Sequence, residues 1–481
     1  MVKPQKTLLY LAMIALIIHP TAHAGGFSLY TESSAAAIGN FAAGVAAEVT
    51  DASIGWYNPA GLVMLQKQQV VLGGVGVFPS TELTGVSTYT TNNPLLVGRP
   101  PYTQSFNHLQ GAESAVVPSF HYALPLGKRA AFGFSVVSPF GLSTHYFNNS
   151  PVRYAATYSD LKTVNISPEL GGLLTDHWSI GGGLDFQYAN VEFDRMIGSP
   201  AYLQFYSIAI PDSGVTPTTL DSESKNSGDS FAMGFHMGTM LMFDDNHTRV
   251  GLNYQSGTSH LFNGQSQLTG RLADPSLIIA DPLNANPKAL FISNTLSSDA
   301  IHLPAIVTLS GYRDLNPKWA LLGSLVYSGW STFQSITLND VAAGVPSPSG
   351  DGSVVQTLVK STTIENYRNT WRVALGANYH VNDQWMMRFG GGYDQTPTVT
   401  AERDVRLPDS DRWALSIGAH YQVLPSLGFD LGYTYLFGVH NAVINNTQAI
   451  GATSSYLVDA ISKNSAQLVG LQMVWTIDSE K

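Results

Sequence analysis

The chain is 481 residues long with only 12% charged residues, against roughly a quarter in soluble globular proteins, so a soluble body of about three domains would be short of surface charge. It has no cysteine, which excludes disulfides, thiolate chemistry and Cys-ligated metals, and a net charge of −10 with no basic cluster, which argues against a nucleic-acid partner.

Residues 1–24 carry Lys3 and Lys6, then an apolar run over 8–18, then Ala22-His23-Ala24, the three parts of a secretory signal. The run is too short to cross a bilayer as a helix, and no later window offers about 18 uninterrupted apolar residues. If the chain lies in a membrane, it does so as a barrel. Residues 25–65 follow, rich in Ser, Ala and Gly, with a helix-like run over 33–47 and then Asn58-Pro59-Ala60-Gly61-Leu62. This head is neither a period-2 strand nor a spanning helix. It needs somewhere to bury itself, and the lumen of a closed barrel provides it.

From residue 66 to the end, segments with period-2 alternation recur: roughly 68–78, 115–124, 129–140, 163–174, 178–193, 230–243, 247–262, 303–313, 318–337, 366–381, 384–396, 411–423, 426–437 and 464–477. These are fourteen, an even number as bacterial single-chain barrels require. Links after even-numbered segments are short, such as Asp244-Asp245-Asn246 and Leu424-Pro425, whereas those after odd-numbered segments are long, such as 79–114 and 263–302. Short periplasmic turns alternating with long extracellular loops place both termini on the periplasmic side.

Where alternation is cleanest the two faces sort by polarity. Trp371, Val373 and Leu375 oppose Arg372; Trp385, Met387 and Phe389 oppose Arg388; Trp413, Leu415 and Ile417 oppose Arg412 and His420. A charge at the bilayer midplane costs about 2–4 kcal/mol, so the charged face is predicted to line the lumen. The expected fold is an all-β, 14-stranded antiparallel transmembrane β-barrel, with 1–24 a signal peptide, 25–65 a hatch plugging the lumen and 66–481 the barrel. Gly181-Gly182-Gly183 and Gly390-Gly391-Gly392 lack the Lys-Ser/Thr of a phosphate loop and read as close-packing strand positions. No nucleophile elbow, catalytic triad or metal-ligand spacing is present, so the chain is not read as an enzyme and no cofactor or metal is expected.

Three patches carry a resemblance: the head with Asn58, Pro59 and Ala60; Ser138-Pro139-Phe140-Gly141, which interrupts the third segment; and Leu407-Pro408-Asp409-Ser410-Asp411-Arg412-Trp413 entering a late one. Together they resemble the FadL-like family of outer-membrane transporters of long-chain fatty acids and other hydrophobic compounds. The resemblance implies a fourteen-stranded barrel and an inward kink at Ser138, Pro139, Phe140 and Gly141 that opens the wall sideways, facing Asn58, Pro59 and Ala60. It implies that two apolar loops capture ligand: Tyr202, Leu203, Phe205 and Tyr206 in one, Leu277, Ile278, Ile279, Leu290 and Phe291 in the other. Arg412, Arg372 and Arg388 are lumenal candidates for holding a carboxylate. The segment 25–34, with few large anchors, is expected to shift and connect the pocket to the opening.

The function so implied is passive uptake across the outer membrane of a Gram-negative bacterium, most naturally of long-chain fatty acids, by a monomer whose partners are a hydrophobic small molecule and outer-membrane lipid. Alternatives are an aromatic-hydrocarbon importer of the same fold, a polar porin, and a surface adhesin displayed on a barrel. One departure from barrel habit is the end, where Trp475 is followed by a polar tail.

Overall fold

Alternating apolar and polar side chains dictate strands, and the computed structural model describes residues 27–91, 101–198, 217–278, 282–349, 351–450 and 454–477. The expected signal peptide, residues 1–24, therefore lies outside the described residues. Fourteen strands close into one antiparallel ring. They are β1 (Gln68–Thr91), β2 (Ala115–Pro125), β3 (Ala130–Val137, resuming as Gly141–His145), β4 (Tyr158–Thr175) and β5 (Trp178–Ile197). Next come β6 (Ser222–Phe243), β7 (Thr248–Gln255, then Thr258–His260 and Asn263–Thr269) and β8 (Leu290–Ser298, Ile301–Leu303 and Ile306–Asn316). The rest are β9 (Trp319–Ser328 and Ser335–Pro346), β10 (Val354–Ile364 and Thr370–His380), β11 (Trp385–Asp394), β12 (Arg412–Leu424), β13 (Leu427–Gly438 and Ala442–Ile450) and β14 (Ser454–Ile477).

Each strand pairs with its sequence neighbours, and β1 meets β14 from Gln68↔Ile477 to Thr91↔Ser454 without a register shift. Closure removes the unpaired edges that an open sheet would present to lipid.

The face assignment holds. Trp371, Leu375, Trp413, Leu415 and Leu431 are exposed on the outside, while Arg372, Arg388 and Asp430 are buried within. Several segments expected as loops are instead strand. Tyr102–Gln110 folds back on β1, and 263–269 with 290–298, 335–346 with 354–364, and 442–450 with 454–462 form tall hairpins. These reach beyond the bilayer, where neither face meets lipid and polar residues suffice on both sides.

The hatch fills the lumen, with Ala35, Ile38, Ala43, Ala60 and Leu62 fully buried. Its helices are short: α1 (Ala35–Ile38) and α2 (Ile54–Tyr57), followed by a 3-10 turn Pro59–Met64. The run expected to be helical over 33–47 stops at α1 because Phe41 and Ala42 adopt left-handed backbone, φ 57° and 55°. Wall hydroxyls meet the irregular backbone: Thr434 Oγ1 donates to Ile38 O at 2.6 Å, Ser324 Oγ to Ala42 O at 3.0 Å, and Ser310 Oγ accepts from Ala46 N at 3.1 Å.

The Gly triplets are close-packing positions as expected, except Gly182, where a Cβ would meet only an ordinary contact at 3.5 Å. A Cβ on Gly181 would sit 2.4 Å from the Pro59 carbonyl carbon, and one on Gly390 would sit 2.3 Å from Asn40 O.

Candidate functional site: the hatch, the broken strand and the lumenal cavity

Proline cannot donate to a ladder, and β3 is interrupted around Pro139. Against β4 the pairing steps from Val137↔Asn165 to Gly141↔Lys162, so β3 spends one residue more than its partner and bulges. Against β2 the ladder ends at Phe120↔Val136, and the two lines meet again only at the bridge Ala112↔Thr144. Among the described residues no backbone pair joins β2 to β3 between those points.

The hatch supplies the missing partner. Leu29 N donates to Pro139 O at 2.8 Å and Gly141 N donates to Phe27 O at 2.9 Å, with Ser28 bridged to Phe140. The start of the hatch thus acts as a short strand laid on the break from inside. Phe27 anchors it. Its ring lies 4.6 Å from Trp330, 5.2 Å from Phe333 and 6.3 Å from both Phe140 and Tyr367, mostly edge-on, the geometry that aromatic quadrupoles favour. The segment expected to have few large anchors has a deep one.

Asn58, Pro59 and Ala60 do not face residues 139–141, contrary to expectation. Asn58 Nδ2 donates to Ala46 O at 2.7 Å and to Thr239 O at 3.1 Å, its Oδ1 caps Ala60 N at 3.1 Å, and Ser179 Oγ donates to Ala60 O at 2.8 Å. The motif sits at the periplasmic end, against β4 to β7. Gly171, Gly181, Gly238 and Gly251 form the floor there, and a Cβ on any of them would come within 2.5 Å of hatch atoms. The hatch backbone therefore docks where the wall has no side chains, and the break lies elsewhere.

The three candidate arginines are already engaged by the protein. Arg388 pairs with Asp430 at 2.5 Å, and Asp430 also meets His420 at 3.0 Å and Gln472 at 3.1 Å, while Gln472 reaches Asp51 of the hatch at 2.9 Å. Arg412 pairs with Asp394 and Asp409 at 3.2 and 3.4 Å. Arg372 donates to Phe41 O at 3.2 Å and lies 3.8 Å over the Phe41 ring. These guanidiniums tie hatch and loops to the wall. Removing either member of a buried pair leaves an uncompensated charge, so they are structural before they are anything else.

The capture residues divide. Tyr202, Leu203, Phe205, Tyr206 and Ile279 lie outside the described residues. Leu277 is buried against Ala285 and Val354, Phe291 packs partly buried beside Leu268 and Ala342, and Ile278 and Leu290 are exposed. Leu290 and Phe291 belong to the β7–β8 hairpin rather than to a loop.

An apolar cavity lies at the Phe27 end, lined by Leu142, Leu161, Val191, Phe262, Ile301 and Leu303 among others. Its polar margin is His260, Glu365, Asp404 and Arg406. Arg406 pairs with Asp404 and donates to Ala155 O at 2.5 Å. Burial, and then the nearby Asp404 carboxylate, push the Glu365 carboxyl up to about 8. On one side Arg406 and Leu407 also line a second cavity that includes Ala112 and Thr144, the upper edge of the β2–β3 gap. A wide vestibule opens among the tall hairpins, lined by Arg195, Lys360 and Glu402. Sequence reasoning missed Phe27, Arg406 and His260. The cavity is assembled from six strands and two loops, and only a hydrophobic residue just after the expected signal peptide hinted at it.

The family model described as outer membrane protein transport protein (OMPP1/FadL/TodX) matches residues 15–476. A long-chain fatty acid transport protein of Escherichia coli O6:H1 is 29% identical, covering 94% of this chain and 95% of its own. Outer membrane protein P1 of Haemophilus influenzae Rd is 26% identical over 89% of each. Among solved structures, a Pseudomonas aeruginosa FadL homologue superposes with a TM-score of 0.75 at 24% identity, covering 94% of this chain and 99% of the other. The Pseudomonas putida toluene transporter TodX does so at 0.62 and 14%, covering 94% and 100%. At those identities the solved structures share the fold.

Proposed function

We propose that this chain, which belongs to the OMPP1/FadL/TodX family of outer membrane transport proteins, carries long-chain fatty acids passively and releases them sideways through the β2–β3 gap. The single observation that supports this most is that the break at Pro139 is closed not by β2 but by two backbone hydrogen bonds from the hatch, at Phe27 and Leu29. A closure made by a chain start can be undone without opening the barrel.

Ligand first partitions among the apolar outer segments, driven by about 0.8 kcal/mol per buried methylene. It passes the vestibule, where Arg195 has no ion pair or hydrogen bond among the described residues and offers charge to an acidic head. An acyl chain then competes with Phe27 for the apolar cavity. Displacing Phe27 withdraws the strand laid on Pro139 and Gly141, and the second cavity leads to the uncovered gap. Release is down the gradient, with no nucleotide or cofactor.

The test is uptake of radiolabelled oleate and toluene by cells carrying the gene, the gene with residues 139–142 deleted, or neither. Oleate uptake that depends on the gene and falls with the deletion supports the reading. Unchanged oleate uptake in the deletion refutes the lateral route, toluene uptake alone reassigns the ligand to aromatic hydrocarbons, and no gene-dependent uptake of either favours an adhesin. Free ion conductance in a planar bilayer would mark a polar porin.

A further inference from the structure

One polar group in the apolar cavity has an unused hydrogen-bonding capacity. His260 on β7 lines the cavity and is fully buried. Its Nε2 lies 2.9 Å from Gln187 Oε1, which Thr258 Oγ1 also approaches at 2.9 Å. An amide oxygen that takes both contacts accepts both, which puts the ring proton on Nε2 and leaves Nδ1 with a bare lone pair. That Nδ1 is buried and meets no donor among the described residues. An unmet buried acceptor costs about 1–3 kcal/mol and calls for an explanation.

The neighbours do not answer it. Phe262 stacks on the ring at 5.6 Å between centroids, and Ile301 and Leu303 face it from β8. The charged and titratable groups on the same cavity are Glu365, Tyr367, Asp404 and Arg406. Arg406 is held by Asp404 and Ala155 O. Glu365, with its carboxyl raised to about 8 by burial and Asp404, is mostly uncharged at neutral pH. Among the described residues the site thus has an acceptor wanting a proton donor and no free cation to hold a bare carboxylate.

We propose that His260 Nδ1 is the head-group station of this cavity, taking the O–H of a ligand's carboxyl or hydroxyl, so that a fatty acid is bound together with one proton. This rests on the transport reading above and specifies the form of the ligand. The balance is simple: a carboxylate in water, a proton from water and the neutral imidazole give a complex with a single proton between oxygen and Nδ1. No covalent bond forms or breaks beyond that O–H or N–H. Whichever atom holds the proton, the count is the same, so fatty-acid affinity must fall about tenfold per pH unit above the acid's own pKa of roughly 4–5. A fatty alcohol brings its own proton, and its affinity has no such slope.

The experiment measures displacement of a hydrophobic fluorescent dye from the full chain in nanodiscs by laurate and by 1-dodecanol, from pH 6 to pH 8. Laurate should weaken about 100-fold across that range and dodecanol less than 2-fold. His260→Leu should weaken dodecanol up to about tenfold at every pH, the loss of one hydrogen bond. Laurate affinity that is flat or rises with pH in the wild-type protein, which needs no variant to fold, overturns the proposal while leaving hydrophobic transport intact. Dodecanol binding equally tight in a folded His260→Leu protein overturns it too. Displacement by neither ligand would sink the transport reading along with it.

Discussion

The two ends of the hatch are both buried, yet they are held in opposite ways. At the periplasmic end, backbone is set into backbone: Asn58 hydrogen-bonds to Ala46 and Thr239, and Gly171, Gly181, Gly238 and Gly251 leave no room for a side chain. At the other end, 27–29 rests on the broken β3 through two hydrogen bonds and one aromatic ring. The first contact is steric and interlocked, and the second is a surface match of modest area. Burial alone therefore does not say which end can move. What decides it is whether leaving requires the wall to deform.

The largest effect should come from filling the interlocked floor. A Cβ at Gly251 would lie 1.9 Å from Ala46 O, so Gly251→Val should prevent native assembly, read as loss of the heat-modifiable folded band on a gel. Normal assembly would mean that this end is as loose as the other. Next, Arg388→Met strands the buried Asp430 carboxylate beneath the hatch and should cost about 3–5 kcal/mol in unfolding from detergent micelles. A loss under 1 kcal/mol would show that His420 and Gln472 suffice for Asp430. Phe27→Ala should remove about 3 kcal/mol of local packing, seen as roughly 100-fold or faster hydrogen exchange at Leu29 and Gly141 with the global transition unmoved. A shift of the global transition would join the two ends into one cooperative unit. Smallest, Asn58→Ala should cost about 0.5–2 kcal/mol through the lost cap on Ala60 N and the unmet carbonyls of Ala46 and Thr239. Acceleration of exchange at Leu29 in that variant would again break the distinction.

Raising pH through about 8 should ionise Glu365 beside Asp404. A carboxyl raised on folding contributes to stability only while protonated, so it favours the unfolded state increasingly as pH climbs above its unfolded value near 4.3. The expected sign is a Glu365→Gln variant that gains stability over wild type progressively from pH 5 to 8, measured in micelles.

Barrel, strand number and the inside–outside assignment were legible because lipid imposes a strict alternation: Leu375, Leu415 and Leu431 outside, Arg372, Arg388 and Asp430 inside. The tall hairpins were read as loops because outside the bilayer that constraint lapses. The break at 138–141 was visible through Pro139, since proline's missing N–H is a local fact. Its partner was not. Which hatch residues reach it depends on where four glycines from four strands leave space, and no local pattern carries that. The arginines were correctly placed in the lumen, but their partners Asp430, Asp394 and Phe41 lie 42, 18 and 331 residues away, and only folding brings them together.

The unshifted seam between β1 and β14 joins the barrel's first strand to its last, and only the short stretch 65–67 separates β1 from the end of the hatch's final turn. A cylinder zipped along its first and last staves cannot admit so tightly leashed an insert from above afterwards. The stopper must be seated while the cylinder is still an open sheet, or slide in through the periplasmic mouth. On the first route residues 27–65 act as the mandrel around which the rest is wrapped; on the second the leash to β1 keeps them at the one mouth they can enter.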